Sequence, residues 1–186
     1  GNARTMPDAA TTTARRTAAA HRHLIADGDP TKPVIYVCRP AHAPWKSWYR
    51  ALRNQLRRLL PDAEFLAWSD VAVVGGHHDA VWPATLARIT GFVVVINPDT
   101  TKNLPARGDV SRVEAGELRD AVAKGLPVLV CHRGQVYALA DCTVAGKHGS
   151  KAHVTVPDGD GMTAAYRDAL ARMGGRAEPE PEGENG

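Results

Sequence analysis

Short apolar runs alternate along the chain with longer segments of helical periodicity, and this alternation limits the possible folds more than any other feature. Three of the runs are rich in β-branched residues and lack a polar–apolar alternation, which predicts strands buried on both faces. Buried strands joined by helical crossovers favour a parallel sheet covered by helices on both faces. The predicted strands are residues 34–39, 64–68, 92–97 and 127–132.

Helices are predicted between these strands from apolar residues that recur every three or four positions. A Gly at position 125 is expected to cap the third helix. Further strands are expected at residues 135–144 and 153–156. The predicted helices are residues 45–60, 79–89, 111–124 and 162–173. We therefore expect an α/β fold, a three-layer flavodoxin-like or Rossmann-like domain with strand order 2-1-3-4-5.

Composition divides the chain into three parts. Residues 1–31 lack a lasting apolar period and are expected to form a flexible N-terminal arm with a short helix around residues 14–26. Residues 32–173 carry the strand and helix patterns of the α/β domain. Residues 174–186 form a tail rich in Pro and Glu, a composition typical of disorder.

Several protein classes are disfavoured by the sequence. No apolar run approaches the roughly 18–20 residues of a membrane helix, and an apolar signal core is not seen. The 3 cysteines include no Cys-x-x-Cys pair, so neither a disulfide scaffold nor a four-cysteine zinc site is expected. The neighbouring His and Cys residues lack the spacing of a known metal site. We expect a cytoplasmic protein without a metal.

Positive charge is concentrated between Arg39 and Pro61, where basic residues occur without an acidic one. Such a field suits a phosphate or an acidic partner, although a solvated helix face has the same pattern. No DNA- or RNA-recognition motif accompanies it, so a nucleic-acid partner is not expected. Phosphate loops, dinucleotide fingerprints, nucleophile elbows and zinc-deaminase motifs are also missing from the sequence.

Ligands of open α/β sheets bind outside the carboxyl ends of the strands. The residues predicted to follow these ends and to contact substrate are Arg39, His42, Asp70, Asn97 and Asp99. Arg39 and His42 would face a phosphate if the substrate is a nucleotide. Asn97 and Asp99, at the end of the third strand, would form hydrogen bonds with a base or ribose.

The start of the third helix adds a second group of candidates. Glu114 lies in the first helical turn, where the helix dipole favours an ionised carboxylate. Such a carboxylate can act as a nucleophile or stabilise an oxocarbenium ion, although it can equally be a helix-stabilising acid. Glu117 takes its place if the helix starts one turn later. Ser111 is the preferred N-cap and Asp109 a competing cap, and both are also candidate substrate ligands.

Aromatic and thiol side chains have a structural alternative as well. Trp45, Trp48 and Tyr49 fit the buried stripe of the first helix, whereas Trp68 and Trp82 are predicted to stack on a base. The cysteines at positions 38 and 131 lie within apolar strands and are expected to be inert core thiols.

Four segments of the chain form a recognisable pattern: VIYVCRP, GFVVVI, SRVEAG and KGLPVLV. Through them the chain resembles the nucleoside 2-deoxyribosyltransferase-like superfamily, which includes nucleotide N-glycosidases. The resemblance covers about residues 33–131. It implies that Glu114 is the catalytic Glu and that Gly116 is the Gly two residues later. Gly91 stands where the family often has Asp, Ser111-Arg112 replaces Gly-Thr, and Asp109 lies five rather than six residues before the Glu.

The resemblance implies cleavage or transfer at the N-glycosidic bond of a nucleoside or nucleotide, with no cofactor and with a homodimer as the assembly. An NAD-cleaving enzyme of the Toll/interleukin-receptor-like type is an alternative, because it shares a flavodoxin-like sheet and a helical catalytic Glu. A second alternative is a non-catalytic module that senses a nucleotide or binds other proteins.

Overall fold

A computed structural model describes residues 31–40, 46–68, 78–99 and 106–175. The residues before position 31 and those from 176 onward lie outside it, so the predicted arm and most of the predicted tail are not tested. The strands are β1 (Val34–Cys38), β2 (Glu64–Ala67), β3 (Gly91–Val95), β4 (Asn97–Pro98), β5 (Arg107–Val110), β6 (Val128–His132), β7 (Gln135–Ala138), β8 (Thr143–Ala145) and β9 (Ala152–Thr155). The helices are α1 (Lys46–Leu59), α2 (His78–Arg88), α3 (Arg112–Ala123) and α4 (Ala164–Arg172), with a short 3₁₀ turn at Leu139–Asp141.

The central sheet has the strand order β2-β1-β3-β6-β7. The pairs β1–β2, β1–β3 and β3–β6 are parallel, and β7 joins the edge antiparallel to β6. The α/β fold and the order of its strands are therefore confirmed, while the antiparallel β7 makes the sheet mixed rather than wholly parallel as predicted. In β1, β3 and β6 every residue is buried, as expected of strands covered on both faces.

Helices cover both faces of this sheet. On one face, Tyr36 and Phe92 pack with Leu118 of α3 and with α2. On the other face, alternate residues of the same strands pack with α1 and α4. This alternation follows from the period of two in a strand, which sends successive side chains to opposite faces. The three predicted layers are present.

A second sheet, of strand order β4-β5-β9-β8, is a feature that the sequence analysis did not predict. Its neighbouring strands are antiparallel. The chain between the end of the predicted third strand and the predicted third helix, where no further strand was expected, supplies β4 and β5. The single strand predicted over residues 135–144 is wrong: the 3₁₀ turn divides it, so β7 stays in the central sheet and β8 joins the second.

Both ends of α3 fall at the predicted positions. Ser111 occupies the N-cap with an extended backbone, and Gly125 has a φ of 79° immediately after Lys124 at the other end. This left-handed conformation is the one that glycine adopts at little cost. Among the described residues, no helix combines the length and apolar character needed to cross a bilayer.

Candidate functional site

A pocket of about 310 Å³ lies at the carboxyl edge of the central sheet, between the sheet and the start of α3. It brings together five of the predicted site residues: Arg39, Asn97, Asp109, Ser111 and Glu114. The remaining lining residues are Pro40, Val95, Val110 and Lys151. The pocket thus occupies the place that the strand pattern assigned to a ligand.

The two sheets build this pocket jointly. Arg39 follows β1, while Asn97 in β4 pairs with Asp109 in β5 in an antiparallel register. Beside Asp109, Gly108 permits a close approach of β5 to β4, because a Cβ there would lie 2.5 Å from the Asn97 carbonyl oxygen. The hairpin therefore depends on a residue without a side chain.

Glu114 enters the pocket from the first turn of α3. The Ser111 carbonyl accepts a hydrogen bond of 2.7 Å from the Ala115 N–H, which opens the helix, but the Ser111 hydroxyl makes no capping bond. Oxygen Oε2 of the Glu114 carboxylate is buried. The positive end of the helix dipole favours the charged form of this carboxylate.

Asp109 faces two basic side chains. Its Oδ1 lies 2.7 Å from His153 Nδ1, and its Oδ2 lies 3.5 Å from Lys151 Nζ. The histidine is directly opposite the aspartate in the β5–β9 register. Sequence analysis missed both partners because they depend on an unpredicted sheet, in which His153 lies 44 residues from Asp109 along the chain.

A second polar cluster lies one turn further along α3, around the buried Glu117. Its Oε2 accepts a hydrogen bond of 3.1 Å from the Tyr36 hydroxyl and lies 2.9 Å from His78 Nε2. The Cys38 thiol donates to Oε1 at 3.7 Å. This carboxylate therefore joins β1, α2 and α3, and it is not among the described residues that line the pocket.

The cluster shifts the protonation of its members. Burial and the Glu117 charge raise the pKa of the Tyr36 hydroxyl and that of the Cys38 thiol well above their usual ranges. The hydrogen bond with the Glu117 carboxylate raises the pKa of His78, although burial acts in the opposite direction. Tyr36 and Cys38 consequently keep their protons and act as donors to the carboxylate.

Several predicted site residues lie elsewhere. Asp99 accepts from Arg107 Nε at 2.8 Å and is not a described lining residue of the pocket. Trp82 is buried and donates to Asp120 at 2.9 Å, and Trp68 lies against His78 with 5.1 Å between ring centroids. Neither tryptophan, each predicted to stack on a base, is among the described residues that line the pocket. His42 and Asp70 fall outside the described residues, as do Trp45 and the side chains of Trp48 and Tyr49.

The cysteines at positions 38 and 131 are buried, as predicted. Burial raises the pKa of Cys131 to about 12. The neighbouring His132 is also buried, and its burial lowers the pKa of the imidazole. In the described part of the chain, no three His, Cys, Asp or Glu side chains are grouped so as to hold a metal ion.

Two glycines of the resemblance have different environments. Gly91 begins β3 at the amino end of the sheet, where a Cβ would lie 2.7 Å from Ile35 Cδ1 and 2.9 Å from Met173 Cγ. An Asp at this position would disturb the core at the end opposite the pocket. Gly116 has open space around it, since no atom outside its helix lies within 4 Å of a Cβ built there.

Comparison of the chain with protein-family models, with curated proteins and with solved structures finds no match.

Proposed function

We propose that this protein cleaves, or transfers the sugar across, the N-glycosidic bond of a nucleoside or nucleotide, with Glu114 as the catalytic carboxylate. The observation that supports it best is the position of Glu114 in the first turn of α3, facing a pocket at the carboxyl edge of the sheet. The dipole at a helix start favours the ionised form of a carboxylate, and an ionised carboxylate can meet positive charge as it develops on a sugar.

The reaction needs one bond to break and one to form. The bond between the sugar C1 atom and the base nitrogen breaks, and its electron pair leaves with the base, which takes up a proton. Glu114 either bonds to C1 or stabilises the cation on the sugar ring. Water then attacks C1 and gives the free sugar with release of one of its protons, or the nitrogen of a second base bonds to C1 and loses its proton.

The other pocket residues suit the remaining parts of such a substrate. Asp109, half-exposed and beside Lys151, can accept hydrogen bonds from sugar hydroxyls. Arg39 and Lys151 provide cations for a phosphate, and the Asn97 amide has both donors and an acceptor for a base. The volume of about 310 Å³ lies at the small end of the usual range for ligand pockets, about 300–1,000 Å³.

Assembly and location follow from different features of the chain. We expect a homodimer, because related enzymes often complete their site across a subunit interface. We expect a cytoplasmic location, because the described cysteines at positions 38, 131 and 142 belong to no Cys-x-x-Cys pair and are free thiols.

A substrate panel tests the proposal. Nucleosides, nucleotides and NAD are incubated with the full chain and with Glu114→Gln, and free base is detected by chromatography. Base release by the parent chain that is strongly reduced in Glu114→Gln supports the proposal. Nicotinamide release from NAD alone would favour the NAD-cleaving alternative. Thermal stabilisation by a nucleotide without any product would favour the binding module, and neither product nor binding would overturn the proposal.

A further inference from the structure

The outward side of α1 carries a positive surface that the proposed function does not use. We call it the basic face, and it consists of Arg50, Arg53, Arg57 and Arg58, all of them exposed. Successive residues of a helix are about 100° apart, so the first three of these arginines fall within an arc of about 60°. The opposite side of the helix packs Leu52 and Leu56 into the core.

Acidic residues are missing from the helix itself, and the nearest one in sequence, Asp62, follows its end. Residues 39–61 contain none, and within the described chain none of the four arginines forms an ion pair. An uncompensated positive surface of this size favours an anionic partner.

Both α4 and α1 end at the amino edge of the central sheet. Met173 packs into the same core cluster as Leu60, on the face of the sheet that α1 covers. At Gly174 a Cβ would lie 2.8 Å from Pro33 Cγ, which places the chain beside the start of β1. In a parallel sheet, a helix that follows β1 and leads into β2 ends at this same amino edge. The segment after Gly175 therefore starts on the same side and at the same end of the molecule as Arg57 and Arg58.

We propose that the acidic segment of residues 176–186 docks on the basic face of α1 within the same molecule. The segment carries Glu at positions 178, 180, 182 and 184 against a single Arg. In an extended Pro-rich chain, alternate residues lie about 6 Å apart, close to the rise of about 5.4 Å per helical turn. Eleven residues can span about 36 Å, and the basic face is about 12 Å long. Charge, spacing and reach thus all match.

The contact is electrostatic and exposed, so it depends on salt. Each ion pair is weak, but a short tether raises the effective concentration of the segment to about the millimolar range. We expect docking in about half of the molecules or more at about 0.05 M salt, and its loss at about 1 M salt, where the screening length falls to about 3 Å.

Nuclear magnetic resonance of the ¹⁵N-labelled full chain tests the docking through the amide signals of the four glutamates. These signals are expected to move with salt and to reach their high-salt positions at low salt in the variant Arg50→Gln/Arg53→Gln/Arg57→Gln. A control variant, Arg112→Gln/Arg133→Gln/Lys147→Gln, loses the same charge from exposed positions elsewhere and is expected to leave them unchanged. Replacing the four glutamates with Gln keeps α1 intact and is expected to move the amide signals of α1 instead.

Three results would overturn the proposal. Signals that respond equally to both arginine variants would mean a general charge effect. Signals that depend on protein concentration would mean docking on a second copy. Signals that respond neither to salt nor to either arginine variant would mean that the segment does not dock, and binding of a mixed-sequence DNA duplex to the basic face would then make this face a nucleic-acid surface.

Discussion

The His78–Glu117 pair yields a prediction that does not depend on any substrate. His78→Ala removes a contact of 2.9 Å to a carboxylate whose side chain is only 4% exposed. The change leaves the Tyr36 hydroxyl in place as a donor at 3.1 Å. Glu117 then stays buried with less compensation for its lost hydration.

The expected loss can be bounded from the geometry. Breaking a fully buried ion pair costs about 3–5 kcal/mol, and a hydrogen bond to a charged group is worth about 1.5–3 kcal/mol. Because the His78 side chain is 31% exposed and Tyr36 remains, we expect the lower range, about 1.5–3 kcal/mol in the free energy of unfolding. His153→Ala is the matched control: its contact with Asp109 is 2.7 Å, but both side chains are more than 40% exposed. It is expected to cost about 0–1 kcal/mol.

The loss also depends on pH, with a sign set by the histidine. The Glu117 hydrogen bond raises the pKa of His78, so the folded state holds this proton more tightly than the unfolded state. The resulting stabilisation is fully present below the ordinary histidine pKa of about 6.5, and it is lost as pH rises through the higher pKa of the folded state. The difference in the free energy of unfolding between the parent chain and His78→Ala is therefore expected to be larger near about pH 6 than near about pH 9.

Urea unfolding followed by circular dichroism measures both quantities. Equal losses in His78→Ala and His153→Ala would refute the argument from burial. A loss in His78→Ala that grows from about pH 6 to about pH 9 would refute the assigned direction of the pKa shift.

Two further predictions concern packing and thiols. Gly108→Ala is expected to cost about 1–3 kcal/mol in thermal unfolding, because its Cβ would lie 2.5 Å from the Asn97 carbonyl oxygen. Gly116→Ala, whose Cβ meets open space in α3, is expected to stabilise the fold by about 0.5–1 kcal/mol. The reverse order of stability would contradict this packing. In the native chain at about pH 8, Cys131 is expected to resist thiol reagents, since burial raises its pKa to about 12, whereas the partly exposed Cys142 reacts slowly; mass spectrometry after labelling shows the order, and faster labelling of Cys131 would contradict it.

The central sheet could be predicted from the sequence because its strands carry their own evidence. A run such as Phe92–Val95 is apolar at every position, so burial on both faces follows from the residues alone. The same local evidence located Ser111 and Glu114 at a helix start. The second sheet could not be predicted in this way, since β4 and β8 are only 2 and 3 residues long.

The missed parts of the site follow from that sheet. His153 reaches Asp109 only because β5 pairs with β9, and no local pattern encodes a pairing between strands so far apart. Glu117 was kept as an alternative to Glu114 because the sequence alone did not fix which of them faces the ligand. The structure separates them by burial and partners: one lines the pocket, and the other is held by Tyr36 and His78.

The comparison of Glu114→Gln with Glu117→Gln tests the central claim most directly. Each change removes one carboxylate charge from α3 and keeps the side-chain shape. With a nucleoside or nucleotide that the parent chain cleaves, Glu114→Gln is expected to lower kcat by about 10²–10³-fold. Its melting temperature should barely move, because a first-turn charge is worth about 0.3–1 kcal/mol. Glu117→Gln is expected to lower the melting temperature and to keep most of the rate below it. A full rate in Glu114→Gln, with the loss of rate appearing in Glu117→Gln, would contradict the assignment of Glu114.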